Sequence, residues 1–175
     1  LARAIGEPQG YQYVSFDDGD VLAAARRDPI GFVSSLSPKT ILDEVQHAPE
    51  IFPSLKSVID KRRTAGRYIL TGSANVLLVP RLAESLAGRM GILRLHPLAQ
   101  CEIERSQPRF IDTLFAGRFK TRIGERLGTN LLERIVAGGY PAALARRAAA
   151  RRAAWYRDYI ETRIQRDVRD LSRIH

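Results

Sequence analysis

Two adjacent carboxylates, Asp43 and Glu44, end a short apolar segment and are the residues best placed to do chemistry. A carboxylate at the carboxyl end of a parallel strand lies where the ligand crevice of an α/β protein opens, and it can hold Mg²⁺ directly or through water. A second carboxylate beside it can accept a proton from an attacking water. The alternative, which these residues alone leave open, is that one of the pair caps the next helix.

Small polar side chains follow the next apolar segment, and an arginine follows a later helical one. Thr71 and Ser73 would lie at the same sheet edge as Asp43, although a turn with a helix cap explains them equally. Arg89 ends a predicted helix, and a fixed guanidinium there can stabilise charge on a transferring phosphoryl group. The alternative for Arg89 is a favourable interaction with the helix dipole.

Four apolar segments, each but the last followed by a stretch with helical periodicity, predict a parallel sheet built from βαβ units. The segments are residues 11–16, 40–45, 68–73 and 91–95, and the helical stretches between them are 21–27, 49–63 and 75–88. Beyond residue 98 the pattern is helical, at 99–105, 110–116, 129–137 and in one long helix from 142 to about 171. We therefore predict an α/β part, residues 1–104, and a helical part, residues 105–175.

The charge is unevenly distributed between these two parts. The net charge is +9, and residues 1–104 hold 12 basic and 12 acidic side chains, so the excess lies in residues 105–175. Such asymmetry is typical of a surface that meets an acidic partner. Arg146, Arg147, Arg151 and Arg152 precede Trp155 on the long predicted helix and are candidates for non-specific nucleic-acid binding. The alternative is a solvated arginine face on a helix that packs on the core.

Several other classes of protein lack support. No apolar run approaches the roughly 18 residues of a membrane span, and a single cysteine, Cys101, fits a reducing compartment, so we expect a cytoplasmic protein. The three histidines are not at metal-ligand spacing, and no G-x-S-x-G nucleophile motif occurs. The sequence opens on Leu1 and its single methionine is Met90, so we expect the natural N-terminus to lie upstream.

The order of these motifs resembles bacterial AAA+-type ATPases that carry a C-terminal domain of uncharacterised function. The motifs are Tyr-Val-Ser-Phe-Asp-Asp at 13–18, Ile-Leu-Asp-Glu-Val-Gln at 41–46, the segments 66–75 and 82–89, Leu-His-Pro-Leu at 95–98 and Gly-Gly-Tyr-Pro at 138–141. Residues 165–171 resemble the start of that C-terminal domain. The resemblance implies a three-layer P-loop NTPase-like fold with ATP and Mg²⁺ as ligands.

The resemblance also assigns roles to individual residues. Asp43 would be the Walker B residue that organises Mg²⁺, and Glu44 would activate the hydrolytic water. Ser73, or alternatively Thr71, would sense the γ-phosphate. Arg89 would be an arginine finger acting on a neighbouring subunit, which implies a homo-oligomer.

The sequence departs from the family in one respect. It contains no G-x-x-x-x-G-K-S/T loop, whose backbone N–H groups and lysine hold the phosphates. We therefore predict that this chain binds ATP weakly or not at all. The strand that precedes that loop in the family would lie between residues 67–72 and 91–95, so we expect these two segments to leave a gap or to pair with each other. A strand formed between them by residues 1–10 would contradict this.

Overall fold

A computed structural model of the protein describes residues 1–72, 86–117 and 128–172, with the side chains described as far as residue 165. Two compact units are present, Leu1–Ile92 and Leu93–His175. The first is a mixed α/β unit with a small parallel sheet, and the second is helical. The prediction of a P-loop NTPase-like α/β fold followed by a helical part is confirmed, while the boundary near residue 105 stays a prediction.

The sheet of the first unit has three parallel strands with the most buried one in the middle. The strands are β1 (Gln12–Ser15), β2 (Thr40–Asp43) and β3 (Tyr68–Leu70), and their order is β1-β2-β3. Ser15 pairs with Asp43, and Leu42 pairs with Leu70. Because β2 is covered on both faces, the consecutive residues Thr40, Ile41 and Leu42 are all buried rather than alternating between buried and exposed.

Helices cover both faces of this sheet. They are α1 (Ala2–Gly6), α2 (Gly19–Arg27), α3 (Pro29–Ser35) and α4 (Phe52–Lys61). On one face, Leu42 joins a buried cluster with Val33 of α3 and Leu55 of α4. On the other face, Ile41 packs on Gly6 of α1 so closely that an added Cβ at Gly6 would lie 2.6 Å from the Ile41 Cδ1. The described residues therefore form three layers.

The strand predicted at residues 91–95 is wrong. These residues have no sheet hydrogen bonds, and Ile92, Leu93 and Leu95 are exposed. A strand requires a neighbour that satisfies its backbone groups, and within the described residues β3 is the last strand on its side. The expected alternative of pairing with residues 67–72 is therefore also wrong. Residues 1–10 form no strand there either, since they fold as α1 and a 3₁₀ turn, Glu7–Gln9.

The second unit contains five described helices. They are α5 (Gln100–Ile103), α6 (Phe110–Phe115), α7 (Gly128–Ala137), α8 (Pro141–Leu144) and α9 (Ala149–Ser172). The first three confirm the helical stretches predicted at 99–105, 110–116 and 129–137, whereas most of the helix predicted at 75–88 lies outside the described residues. In the part of the chain that the structure describes, no helix has the length and apolar character needed to cross a bilayer.

The prediction of one continuous helix, straight or bent, from residue 142 to about 171 is wrong, because the chain breaks between α8 and α9. The break lets Tyr140 pack against the rings of Trp155, Tyr156 and Tyr159, with centroids 5.8, 6.2 and 5.2 Å apart. In an unbroken helix, a rise of about 1.5 Å per residue would separate Tyr140 and Tyr159 by roughly 28 Å. The aromatic contacts therefore explain why the good helix formers between α8 and α9 do not continue the helix.

Candidate functional site

The ends of three neighbouring strands meet around Asp43. Asp43 ends the middle strand, Ser15 lies opposite it on β1, and Thr71 follows β3 by one residue. The Thr71 backbone N–H donates to the Leu42 carbonyl at 2.9 Å, and the Val45 N–H donates to the Thr71 carbonyl at 3.1 Å. These two bonds extend the β2–β3 pairing beyond β3, and they bring Thr71 to the carboxylate as predicted.

The Asp43 carboxylate is held from both sides by hydroxyl donors. The Tyr13 phenol donates to Oδ2, and the Thr71 hydroxyl donates to Oδ1. Partial burial acts to raise the pKa of Asp43, but the hydrogen bonds from Thr71 and Tyr13 outweigh it, so this pKa lies below its usual value. The bond to Asp43 and burial raise the pKa of the Tyr13 phenol. Asp43 is therefore ionised and fixed in orientation at neutral pH.

Glu44 lies next to Asp43 but in a different backbone conformation. Its φ of 54° and ψ of 44° place it in the left-handed region, which costs a residue with a side chain about 1–2 kcal/mol. The turn carries the chain off the strand, so that Val45 is buried in the core. The Glu44 carboxylate accepts a hydrogen bond from the Gln46 side-chain amide. Strain of this kind is concentrated at functional sites.

Arg89 is not brought to Asp43 but pairs with Asp60 on α4. Its Nε donates to Asp60 Oδ1 at 2.7 Å, and its Nη2 donates to Oδ2 at 2.9 Å. The hydrogen bond from Arg89 lowers the pKa of Asp60 and raises that of Arg89. Because a crossover helix runs antiparallel to the strands that it joins, the last turn of α4 lies toward the amino-terminal edge of the sheet. Arg89 and Asp43 therefore lie toward opposite edges, and Ser73 lies outside the described residues.

Family models match two parts of the chain. A family model described as "AAA domain" matches residues 1–104. The chain belongs to the AAA domain family. This match suggests an ATPase-like, nucleotide-binding domain in residues 1–104. A second family model, for a domain of unknown function, matches residues 128–175.

Two mycobacterial proteins are similar to this AAA domain protein over almost its whole length. The uncharacterised protein Rv2008c of Mycobacterium tuberculosis and the uncharacterised protein Mb2031c of Mycobacterium bovis are each 29% identical to the chain over 173 residues. The alignment covers 98% of this chain and 33% of each relative, so the chain spans about a third of their length. No solved structure matches.

The residues of the AAA domain fit one part of a magnesium–nucleotide site. Each carboxylate oxygen has two lone pairs, so each Asp43 oxygen can accept a second hydrogen bond from a water of hydrated Mg²⁺. Across residues 1–72, 86–117 and 128–165, no group of three His, Cys, Asp or Glu side chains could hold a metal ion by itself. The sequence also has no phosphate loop. Asp43 therefore fits a water-mediated contact to Mg²⁺.

The four arginines proposed for nucleic-acid binding divide into two pairs in the second unit. The Arg146 guanidinium lies over the Trp155 ring, 5.6 Å from its centroid, and donates to the Ala142 carbonyl. Arg152 donates to the Arg146 carbonyl at 3.4 Å and is half-buried. Both therefore stabilise the turn between α8 and α9, whereas Arg147 and Arg151 are exposed.

Two site residues, Tyr13 and Asp60, were not recognised from the sequence. Tyr13 shares a face of β1 with Ser15 because alternate residues of a strand point the same way. The sequence did not reveal the register of β1 and β2, which places Ser15 opposite Asp43. Asp60 did leave a signal, since an acid in the last turn of a helix opposes the helix dipole and needs a cationic partner.

Proposed function

We propose that this AAA domain provides the Walker B half of an ATP-hydrolysing site in the whole protein. The observation that carries the proposal is the Asp43 carboxylate, which is ionised and lies at the end of the middle strand. Tyr13 and Thr71 donate hydrogen bonds to its two oxygens. A carboxylate held in this way can orient the water shell of an ion without rearranging during the reaction. Preorganisation of this kind is expected of a site that handles phosphate.

Each residue at this edge has a distinct part in the proposal. Asp43 accepts hydrogen bonds from water bound to Mg²⁺, and Glu44 accepts a proton from the attacking water. Thr71 and Tyr13 act through Asp43 as positioning residues, and Ser73 is the candidate γ-phosphate sensor. When bound, Mg²⁺ neutralises charge on the phosphates.

The proposal separates what the whole protein does from what this chain does alone. Without a phosphate loop, we expect the chain to bind a fluorescent ATP analogue with a Kd weaker than about 100 µM in the presence of Mg²⁺. An affinity in the micromolar range that disappears on chelation of Mg²⁺ would contradict this expectation. Asp43→Asn is the matched control, because it keeps the side-chain shape but removes the charge.

The decisive experiment uses the whole protein. The codons upstream should encode a G-x-x-x-x-G-K-S/T loop about 15 to 25 residues before Tyr11. Glu44→Gln should then lower kcat for ATP hydrolysis about 10²-fold or more while ATP binding persists. Full hydrolysis by the Glu44→Gln protein would exclude Glu44 as the base. An unrelated upstream sequence would favour the alternative of a non-catalytic remnant that binds a partner.

Arg89 enters the proposal as a residue that acts on a second copy of the protein. Its position toward the amino-terminal edge excludes contact with phosphate held at Asp43 of the same sheet. We expect Glu44→Gln and Arg89→Ala whole-protein variants to be inactive separately and to regain part of the activity when mixed. Mixing places an intact Glu44 beside an intact Arg89 at some interfaces. If the mixed variants assemble but do not regain ATP hydrolysis, Arg89 does not act across subunits.

Nucleic-acid binding through residues 142–171 is a second candidate function, and a DNA-retention experiment tests it. Exposed Arg147 and Arg151 are the side chains available to contact phosphate, and such contacts weaken steeply with salt. If the surface binds duplex DNA, Arg147→Gln with Arg151→Gln should reduce retention at low salt, whereas Arg146→Gln should mainly destabilise the turn. Absence of any retention at low salt would remove this candidate.

A further inference from the structure

The Asp60–Arg89 contact occupies the same part of the guanidinium that would bind a phosphate. Asp60 takes the Nε and Nη2 donors through a two-point contact, and Nη1 donates to the Ala87 carbonyl at 3.0 Å. Carboxylate and phosphate are the two anions whose oxygen spacing matches this planar fork. The contact is about a quarter to a third exposed, at 26% for Arg89 and 34% for Asp60, so an anion from solvent can reach it.

Asp60 occupies a position that is unfavourable for an acid in the absence of Arg89. It lies in the last turn of α4, where the helix carries partial negative charge and cations are preferred. The buried neighbour of Arg89, Leu86, already fixes this segment to the core. The ion pair is therefore not the only attachment of residues 86–89 to the first unit.

Other cations near Asp60 would prevent it from being left uncompensated if Arg89 moved away. Arg63 Nη2 lies 3.9 Å from the Asp60 Oδ1, and Lys56 acts on the same carboxylate through space. A carboxylate with these neighbours can release one partner without becoming an unpaired charge. The arrangement thus suits an exchangeable contact better than a permanent one.

We propose that Asp60 is a positioning residue that keeps Arg89 from binding phosphate by pairing with it. A polyphosphate anion must then displace Asp60 before Arg89 can act. The inference rests on the proposed function, because the anion in question is the triphosphate bound by a neighbouring copy. In the free protein Asp60 occupies the Nε and Nη2 donors of Arg89, so that weaker anions do not bind there. Displacement by a triphosphate would couple assembly of the subunits to release of Arg89.

The test measures anion binding at Arg89 in the 175-residue chain, so it requires neither hydrolysis nor assembly. Inorganic tripolyphosphate is titrated while the side-chain Nε–H resonance of Arg89, assigned with Arg89→Lys, is followed by NMR. We expect Asp60→Asn to raise the affinity at Arg89 about tenfold or more, since a charge-assisted competitor is lost. Asp20→Asn makes the same change in net charge on exposed α2 and should titrate like the wild type.

Each outcome of this titration decides the proposal. Equal tripolyphosphate affinities at Arg89 in the wild type and in Asp60→Asn would overturn the proposal. It would also be overturned if the Arg89 Nε–H resonance did not change in either protein. A purely structural ion pair would lower stability in Asp60→Asn without changing anion affinity. If Asp60→Asn fails to fold, Asp60→Glu keeps the charge while altering the two-point geometry, and an affinity unchanged there would also overturn the proposal. Because hydrolysis is not involved, these failures differ from failure of the subunit-mixing experiment.

Discussion

Replacing Tyr13 by Phe removes one of the two side-chain hydrogen bonds to Asp43, together with the hydrogen bond between the phenol and the Ser15 side chain. The ring is retained, together with its contact with Arg3, whose guanidinium carbon lies 5.1 Å from the ring centroid. A hydrogen bond to a charged group contributes about 1.5–3 kcal/mol. Because Asp43 is only partly buried, we expect the lower end of this range, about 1.5 kcal/mol of lost unfolding free energy at pH 7.

This loss should depend on pH in a definite direction. The pKa of Asp43 is lower in the folded protein than its ordinary value of 3.8. Asp43 therefore stabilises the fold above pH 3.8 and loses that contribution as the pH falls through its folded pKa. Removing the Tyr13 donor raises the folded pKa toward the ordinary value. The difference between Tyr13→Phe and wild type should thus be largest at neutral pH and shrink in acid.

Urea unfolding at a series of pH values, with circular dichroism as the signal, measures this difference. Tyr11→Phe is a matched control on the same segment, because the Tyr11 phenol donates to the neutral Gly66 carbonyl at 2.5 Å. Its loss should cost about 1 kcal/mol and should not vary with pH. The reasoning is refuted if Tyr13→Phe costs nothing at pH 7, or if its cost is as independent of pH as that of Tyr11→Phe.

Three further changes test the backbone and the second unit. Glu44→Val should be less stable than Glu44→Gly by about 1–2 kcal/mol in urea unfolding, since only glycine adopts the left-handed conformation freely. Equal stabilities of the two variants would contradict backbone strain at residue 44. Gly139→Ala places a Cβ 2.1 Å from a backbone oxygen and should cost about 1–3 kcal/mol in thermal unfolding, whereas Gly91→Ala enters open space and should be near neutral. Tyr156→Phe loses a 2.8 Å bond to a backbone carbonyl and should cost about 1 kcal/mol, so an unchanged midpoint would exclude that bond as a stabilising contact.

The strands and most helices were predictable because they follow from local patterns. Residues 40–45 begin with Thr40 and the apolar pair Ile41 and Leu42 and lie between turn-forming residues, which indicates a short strand, and β2 occupies residues 40–43 of that segment. Residues 91–95 have an equally apolar pattern but no strand. Pairing is a relation between distant segments, so an apolar run shows only that a strand would be favourable if a neighbour were available.

The parts of the site that the sequence did not reveal also depend on distant contacts. The left-handed turn at Glu44 contradicts the preference of a glutamate, and the burial of Val45 and its bond to Thr71 compensate for it. The break before α9 depends on Tyr140 meeting rings up to 19 residues further along the chain. In both cases the residues in contact lie too far apart in the sequence for a local pattern to reveal them.

The placement of Asp43 and Arg89 constrains any mechanism in which both act. Asp43 lies at the carboxyl edge of the sheet, and Arg89 is tied to the end of α4 that lies toward the other edge. One copy cannot bring both to a single phosphate without taking apart the sheet or α4. If both residues take part, each copy therefore serves two nucleotides, one through Asp43 and one through Arg89. Activity in the whole protein should then rise more steeply than linearly with concentration in the range where copies assemble.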